Sequence, residues 1–388
     1  MSAPAALMSN SDPAEGPPPR PLPVPDDWRR CALDPPRAAG APLAEGVLRA
    51  QPDDFQVEEV LGFAPSGCGA HVLLKVRKRD ANTQWVAREL ARRCGCRPGD
   101  VGFAGLKDRH AVATQWFSVP RSKLGTEDWR RAQAPDFEVL EAHAHARKLP
   151  RGALAGNRFV IRVRGVLPAD AGQAAVLAQS VAARCEHLRR QGVPNYFGAQ
   201  RFGRDGGNLA TLQHLSRLPQ QPLPLHQPER GFVLSAARSL VFNAVLAERV
   251  REGSWNGLEA GDLANLDGRG SFFAVSALDA VLQERAERLE IHPTGPMWGQ
   301  GAPATQSRIL ELERRVAADL PAAADLCVAA GMAQERRSLR LRVADLECRF
   351  EGADVSLSFQ LTRGSFATVV LRELFTTRSA VDPPDSEG

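Results

Sequence analysis

The sequence has no long apolar run and no signal segment, and both absences argue against a membrane protein. No stretch approaches the roughly 20 apolar residues that span a bilayer, and the N-terminus lacks a basic region followed by an apolar one. Hydrophobic residues make up 43% of the 388 residues and charged residues 24%, which is ordinary for a soluble protein. We therefore expect a soluble, cytoplasmic protein that makes no membrane contact.

Cysteine is sparse and scattered along the chain. The seven cysteines are an odd number, and only Cys94 and Cys96 lie close together. They match neither a zinc-ligand pattern nor a disulfide framework, so we expect reduced thiols and no metal site.

The length and the composition of the ends indicate two domains flanked by tails. At 388 residues the chain exceeds one typical domain. Residues 1–25 are rich in Pro, Ala and Ser and poor in large apolar residues, and residues 379–388 are short and acidic. We expect both ends to be disordered.

Alternating apolar residues predict strands in the first part of the chain. One strand contains Phe55 and Val57, and a second contains Val72, Leu74 and Val76, with a Gly-Cys-Gly turn between them. The two strands suggest a hairpin. A helix capped by Asn82 or Thr83 is predicted to follow and to run to about Arg93.

The middle of the chain has helical periodicity. Apolar residues at three- and four-residue spacing predict helices at 169–190, 234–250, 277–289 and 305–316, so that the segment 192–340 is mostly helical. Alternation returns at 339–343 and 355–361, and Ser365 is a possible cap for a final helix. Because these late strands have no partner of their own, we expect them to join the first sheet, which makes the helical segment an insertion.

Basic residues cluster between Arg147 and Arg164, where the sequence has six basic residues and no acid. Strand alternation places Phe159, Ile161 and Val163 on one face and Arg158, Arg162 and Arg164 on the other. A sheet with one basic face is suited to binding phosphates, because each neutralised phosphate releases counterions. The net charge of the whole chain is only +4, so a nucleic-acid surface must arise from such local clustering.

The stretch Gly102 to Phe117, G-F-A-G-L-K-D-R-H-A-V-A-T-Q-W-F, places Asp108 between two cations. The neighbouring Lys107 and Arg109 favour the ionised carboxylate, and Gly102 and Gly105 would let the backbone approach a bound molecule closely. Such an aspartate could be a nucleophile, a general base or a metal ligand. Only His110 lies at ligand spacing, so a metal site is poorly supported.

This stretch resembles the signature of the TruD family of tRNA pseudouridine synthases. Four further segments resemble family motifs and follow in the family's order between about Gly46 and Leu374. They read L-R-A-x-P-x-D-F-x-V-E-E, K-L-x-x-G-x-L-x-G-N-R-F, G-V-P-N-Y-F-G-A-Q-R-F-G and L-T-R-G-S-F-A-T-x-V-x-R-E-L.

The resemblance implies a fold and a set of site residues. The fold is α/β (α+β), with a catalytic domain of residues 26–191 and 341–378 around a central, mainly antiparallel sheet, and a mostly helical insertion of residues 192–340. Asp108 is the implied catalytic nucleophile, and Arg49 is a basic residue beside it. The implied substrate-binding residues are Phe55, Lys107, Asn157, Phe159 and Phe366, together with Arg49.

Three of these residues have a second interpretation that the sequence leaves open. Phe55, as a strand aromatic, is equally typical of a core residue. Arg49 could be a plain surface arginine instead of a partner for Asp108, and Phe366 could be an ordinary apolar contact at a helix start.

The resemblance also implies the reaction. A uridine in tRNA, at position thirteen of the D arm by family, would be detached from its ribose and rejoined through carbon, without metal or cofactor. Asp108 could add to the uracil ring, add to the sugar or assist proton loss. We expect tRNA as the partner, no required protein partner and a monomer. The alternatives are an RNA-binding or RNA-folding protein without catalysis, and the same chemistry on another RNA such as a messenger.

Overall fold

The computed structural model describes residues 24–122, 129–217 and 229–380. Residues 1–23 and 381–388, most of the two predicted tails, lie outside these ranges. Of the predicted C-terminal tail, Ser379 is described, and it ends the last strand.

The elements follow one another from Asp26 to Ser379. The α-helices are α1 Asp26–Leu33, α2 Thr83–Cys94, α3 Ala171–Gln191, α4 Gly207–Leu215, α5 Glu229–Arg251, α6 Ala280–Glu287, α7 Ser307–Asp319, α8 Pro321–Ala329 and α9 Ala367–Arg372. The strands are β1 Ala44–Leu48, β2 Phe55–Leu61, β3 His71–Arg79, β4 Gly102–Phe103, β5 Val112–Pro120, β6 Phe137–His145, β7 Leu154–Val163, β8 Val193–Pro194, β9 Leu263–Leu266, β10 Phe272–Ala274, β11 Ile291–Met297, β12 Glu335–Ser338, β13 Arg340–Leu341, β14 Ala344–Glu351, β15 Asp354–Thr362 and β16 Phe375–Ser379.

A central sheet of eight strands contains β2 to β7 from the first half of the chain and β14 and β15 from near its end. Its order is β14-β15-β7-β2-β5-β3-β6, and β4 pairs with β5 beside this path. All neighbours are antiparallel except β2 and β5. The mainly antiparallel sheet predicted from the sequence is therefore confirmed.

The predicted hairpin of β2 and β3 is wrong. β5 lies between these strands and pairs with β2 on one side and with β3 on the other. Strand β3 ends at Arg79 and β5 begins only at Val112. Alternation along a strand predicts which face is buried but not which strand is its neighbour.

Helix α2 packs on the part of the sheet that carries the loop around Asp108. The Asn82 side chain accepts a hydrogen bond from the amide of Gln84 at 2.8 Å, and Gly95 ends the helix with a left-handed φ of 66°. Val86 and Leu90 of this helix are buried against Val76 of β3. The predicted cap and helix are confirmed.

The insertion contains a sheet that the periodicity did not indicate. Besides α4 to α8, it has four antiparallel strands in the order β10-β9-β11-β12. These strands have three to seven residues, and β11 contains two prolines and a glycine, a composition that predicts turns.

Helix α5 is the core helix of the insertion. It is, in the part of the chain that the structure covers, the one helix long and apolar enough to cross a membrane, and 67% of its apolar window is buried inside the protein. The expectation that no stretch approaches such a composition is therefore wrong, and burial in the core explains why α5 has it.

The return from the insertion differs from the prediction of a strand at 339–343. Arg340–Leu341 pairs with Val193–Pro194, where the chain first leaves the catalytic part, and β14 is the strand that returns to the central sheet. The predicted cap Ser365 is also wrong, since Phe366 is the N-cap of α9 and the Ser365 hydroxyl lies 3.4 Å from that of Thr362.

Candidate active site

The loop that carries Asp108 lies at the start of two parallel strands. It joins β4 to β5, and Gln56 of β2 is in register with Val112 of β5. The residues that precede β2 and those that precede β5 therefore meet at one edge of the sheet. Segments that are distant in sequence are thereby brought around Asp108.

The two glycines of the loop have different surroundings. Gly102 lies in β4, where a Cβ would stand 2.5 Å from the Ser118 hydroxyl and 2.6 Å from the Leu149 carbonyl oxygen. The expectation that Gly102 approaches a ligand is therefore wrong, because it packs against protein. At Gly105 the one atom near a Cβ would be the Lys107 ammonium nitrogen at 3.8 Å, so this glycine alone has open space.

Asp108 forms an ion pair with Arg49, as the sequence suggested. The Arg49 guanidinium donates to the Asp108 carboxylate and lies 4.4 Å above the centre of the Phe55 ring. Arg49 has a left-handed φ of 56°, which is costly for a residue other than glycine. The Asp108 side chain remains 41% exposed, so the carboxylate is both held in place and open to solvent.

The neighbouring Lys107 points inward. Its ammonium lies 2.5 Å from a carboxylate oxygen of Glu59, whose other oxygen accepts a hydrogen bond from the Trp116 amide at 2.8 Å. Burial raises the pKa of the Glu59 carboxyl group, although Lys107 opposes this effect. With 11% of its side chain exposed, Lys107 anchors the loop to β2, and its predicted contact with substrate stays a prediction.

Lys78 is a residue of the site that the sequence analysis missed. Its fully buried ammonium donates to the main-chain carbonyl of Asp108 at 2.8 Å and to that of Ala81 at 2.6 Å. Burial lowers its pKa to about 8. The sequence could have indicated this residue, because Lys78 continues the inward alternation of Leu74 and Val76 along β3. A lysine at an inward position needs a buried hydrogen-bond partner.

The predicted substrate residues of β2 and β7 share one face of the sheet. Phe55 and Phe159 are 5% and 6% exposed, and their rings meet edge to face at a centroid distance of 6.2 Å. Asn157 pairs in register with Glu59 on one side and Leu361 on the other. Its side-chain oxygen is buried without a hydrogen-bond partner among the described residues, a state that is rare unless a ligand or water supplies the donor.

Phe366 lies at the same end of the sheet as Asn157. It follows the turn after β15, and the last residues of β15, Leu361 and Thr362, pair with Asn157 and Gly156. The ring is half-buried against the main core. The fold thus brings the Phe366 turn close to the strand end that carries Asn157.

The predicted basic face of β7 is wrong in its charge. The predicted alternation is present, but Arg162 pairs with Glu351, and Arg164 binds both oxygens of Asp54 at 2.7 and 2.8 Å. These acids belong to segments beside β7, so a count within one stretch of sequence could not include them. This face is a mixed-charge surface.

The residues that the structure describes contain no group of three or more His, Cys, Asp or Glu side chains placed to hold a metal ion. Asp108 has cations and main-chain groups as its described neighbours. Asp108 is thus the partly exposed carboxylate that the described part of this loop presents to solvent.

Comparisons with known proteins identify the family of this chain. A family model described as tRNA pseudouridine synthase D (TruD) matches residues 37–212 and 223–374. A Methylococcus capsulatus protein named tRNA pseudouridine synthase D is 45% identical over 344 residues, which are 88% of this chain and 94% of that protein. A Nitrosococcus oceani protein of the same name is 44% identical over 346 residues, with coverage of 88% and 94%. This chain belongs to the TruD family.

A solved structure agrees with the family assignment at the level of the fold. The crystal structure of a Methanosarcina mazei protein described as a tRNA pseudouridine synthase D (TruD) superimposes with a TM-score of 0.68 at 21% identity, covering 91% of this chain and 98% of that one. As a TruD-family member the protein is an isomerase of the pseudouridine synthase class.

Proposed function

We propose that this TruD-family enzyme converts the uridine at position thirteen of the tRNA D arm to pseudouridine and that Asp108 is its nucleophile. The observation that carries the proposal is the setting of Asp108. Its carboxylate is paired with Arg49 and 41% exposed, on a loop whose main chain is held by the buried Lys78. The names of the relatives supply tRNA as the substrate, and the family supplies the position.

The reaction needs no electron acceptor and no group donor. The bond between ribose C1′ and uracil N1 breaks and one between C1′ and C5 forms, while C5 loses a proton and N1 gains one. A single ionised carboxylate can begin this sequence by attack on the ring or on the sugar, or by assisting proton loss from the sugar. Arg49 forms an ion pair with this carboxylate and fixes the direction in which its oxygens point.

The target base must leave its stack to reach Asp108. We propose that Asn157 contacts the extruded nucleotide through its unpartnered oxygen, which can accept a hydrogen bond from the uracil N3–H. Phe55, Phe159 and Phe366 would supply the apolar contacts. Because Phe55 and Phe159 are almost fully buried, their proposed role is to form the floor beneath Arg49 and the base.

Pseudouridine mapping tests the proposal. Cellular RNA from a gene-deletion strain is compared with RNA from strains restored with the wild type, with Asp108→Asn or with Asp34→Asn. Asp34 is an exposed aspartate at the end of α1 that also pairs with an arginine, so the second variant makes the same chemical change outside the Asp108 loop and the segment before β2. We expect one tRNA uridine to lose its modification and only the wild type and Asp34→Asn to restore it.

Two outcomes would favour the rival functions. If no uridine changes although the purified protein binds tRNA, the protein is an RNA-binding or RNA-folding factor. If the lost modification lies in a messenger RNA, the chemistry stands and the proposed substrate fails. Residual turnover by Asp108→Asn would remove the nucleophile assignment alone. We further propose a cytoplasmic monomer, which light scattering on the purified chain, free and bound to tRNA, would test for its oligomeric state.

A further inference from the structure

A cavity of about 330 Å³ lies between the insertion and the turn that precedes Phe366. The turn between β9 and β10 lines one side, and Thr362, Arg363 and Ser365 line the other. The two sides approach closely, since a Cβ on Gly268 would lie 3.6 Å from the methyl group of Thr362. The cavity is therefore shared by the insertion and the catalytic part.

The charge of this cavity is strongly positive. Its lining holds one carboxylate, that of Asp267, and six arginines, which are Arg269, Arg336, Arg337, Arg340, Arg342 and Arg363. Arg336 is neutralised by Glu313 behind the cavity at 2.8 Å, and Arg342 lies 3.6 Å from Asp267. Within residues 24–122, 129–217 and 229–380, the other four arginines have no carboxylate at ion-pair distance.

Two of these four arginines form the back of the cavity, where Arg340 is buried and Arg337 is half-buried. Arg337 donates to the side-chain oxygen of Asn195 at 2.7 Å and lies 4.3 Å over the ring of Phe197. Arg340 donates to Nδ1 of His292 at 2.9 Å, so that His292 is neutral and adds no charge. Burial lowers the pKa of each of the two guanidinium groups to about 10. Buried cations that have only neutral partners are costly, and an anion would offset that cost.

The other two arginines stand exposed on opposite sides. Arg269 belongs to the insertion, and its guanidinium makes no hydrogen bond to the described protein. Arg363 belongs to the turn of the catalytic part and uses one nitrogen to bind the Gly152 carbonyl at 2.9 Å. Both retain free donors, and the planar fork of a guanidinium matches two oxygens of a phosphate.

We propose that this cavity binds a phosphodiester group of the RNA substrate, which Arg269 and Arg363 contact from its two sides. The inference rests on the proposed function, because the turn that carries Arg363 leads directly to Phe366 beside the proposed nucleotide site. A phosphate held there belongs to the strand near the extruded uridine. The insertion thus selects RNA by its backbone and ties it to the catalytic turn.

The test compares two doubly substituted full-length proteins. One is Arg269→Gln/Arg363→Gln, and the control is Arg190→Gln/Arg349→Gln, which removes the same charge from two exposed arginines on α3 and β14. Binding of an unmodified tRNA transcript is measured by fluorescence anisotropy from about 50 to 300 mM salt. For the cavity variant we expect about tenfold weaker binding and a slope of log K against log salt that is smaller by about one.

Turnover on the same tRNA separates positioning from catalysis. The cavity variant should raise KM and leave kcat at saturating tRNA within about twofold of the wild type, because no group near Asp108 is changed. If the cavity variant and the control have the same slope and affinity, the proposal is overturned. RNA binding is measured separately from turnover. A wild type that binds tRNA but forms no pseudouridine would therefore contradict the proposed function without contradicting the proposed phosphate site.

A free anion is the other source of the same chemistry. Inorganic phosphate is therefore titrated against the thermal unfolding of the wild type and of both variants. Stabilisation of the wild type and of the control but not of the cavity variant, with unchanged RNA binding by the cavity variant, would show a site for free phosphate and would overturn the assignment to RNA.

Discussion

The buried ammonium of Lys78 donates a hydrogen bond to the main-chain carbonyl of Asp108 at 2.8 Å. A second bond of 2.6 Å to the Ala81 carbonyl holds the same ammonium beneath the start of α2. The position of the Asp108 backbone thus depends on a residue of β3 whose side chain is fully buried. If Asp108 is the nucleophile that we propose, Lys78 acts on the reaction only through Asp108, as a positioning residue.

Replacement of Lys78 should lower both stability and kcat. Lys78→Met leaves two inward carbonyls without a donor, at about 1–3 kcal/mol each, so we expect a loss of about 2–4 kcal/mol in the free energy of unfolding. We also expect a fall in kcat, with KM for tRNA nearly unchanged. Urea titration and steady-state kinetics measure these effects.

Lys75→Met is the matched control for this change. Lys75 lies on the same strand and pairs with Glu58 and Glu141 near the surface, so its loss should cost less than about 1 kcal/mol. Equal stability and equal kcat for the two variants would contradict the positioning role.

The pKa of Lys78 also predicts a pH dependence of stability. The value of about 8 in the folded protein lies below the ordinary 10.5, so between these pH values the unfolded chain binds more protons. Stability due to this group therefore rises with pH across that window. The difference in unfolding free energy between the wild type and Lys78→Met should increase from about pH 8 to about pH 10, and other groups cancel in the difference. A difference independent of pH would contradict the prediction.

The motifs predicted which residues form the site, but not how the Asp108 loop is held in place. Asp108, Arg49 and Asn157 could be proposed from the sequence because each belongs to a short, dense pattern. Lys78 was missed because a lysine in a strand usually faces solvent, although every second residue before it in β3 is buried. Burial is a property of the assembled sheet. In the sequence it is indicated here only by the position of Lys78 in the inward alternation of β3.

The errors in the fold have a common physical origin. The hairpin and the basic face both failed because neighbours in the sheet come from distant segments. Strand β5 separates β2 from β3, and Glu351 and Asp54 pair with Arg162 and Arg164. Helices α3, α5 and α7 were predicted well because their periodicity is local. The β9–β12 sheet was missed because its strands are short and its pairing is long-range.

We expect Arg49 to lower the stability of the protein through its backbone conformation while its side chain supports activity. Its φ of 56° suits glycine, so Arg49→Gly should be more stable than Arg49→Ala by about 1 kcal/mol. Both variants lose the ion pair to Asp108, and both should lose most of kcat. Urea titration compares their stabilities, with the two variants serving as controls for each other. An alanine variant as stable as the glycine variant would show that the backbone at Arg49 is not strained.

We expect substitutions of Lys107 and Glu59 to have strongly non-additive effects on the free energy of unfolding, because the two side chains form an ion pair. Glu59→Gln leaves a nearly buried ammonium without its carboxylate and should cost about 3–5 kcal/mol. The double variant Glu59→Leu/Lys107→Met removes both charges and should be more stable than Glu59→Gln. A double-mutant cycle by urea titration, with Glu59→Leu and Lys107→Met as the single variants, measures the coupling. If the double variant has the summed loss of the two singles, the pair does not anchor the loop.

Substitution of Asn157 should separate an effect on substrate binding from an effect on the stability of the protein. Because its buried side-chain oxygen has no partner in the part of the chain that the structure describes, Asn157→Ala should break no hydrogen bond of that oxygen and should change the unfolding free energy by less than about 1 kcal/mol. If that oxygen accepts a hydrogen bond from the extruded base, kcat/KM should fall by about tenfold or more.

Asn256→Ala is the control and should have the opposite effects on stability and on kcat/KM. The Asn256 amide donates to the Gln191 side chain at 2.9 Å, and neither residue belongs to the Asp108 loop. We expect this control to lose about 1 kcal/mol of stability and to retain kcat/KM. An Asn157→Ala enzyme with wild-type kcat/KM would mean that water, not uracil, satisfies the buried oxygen. The nucleotide would then have to be held by the aromatic residues and by the phosphate contacts alone.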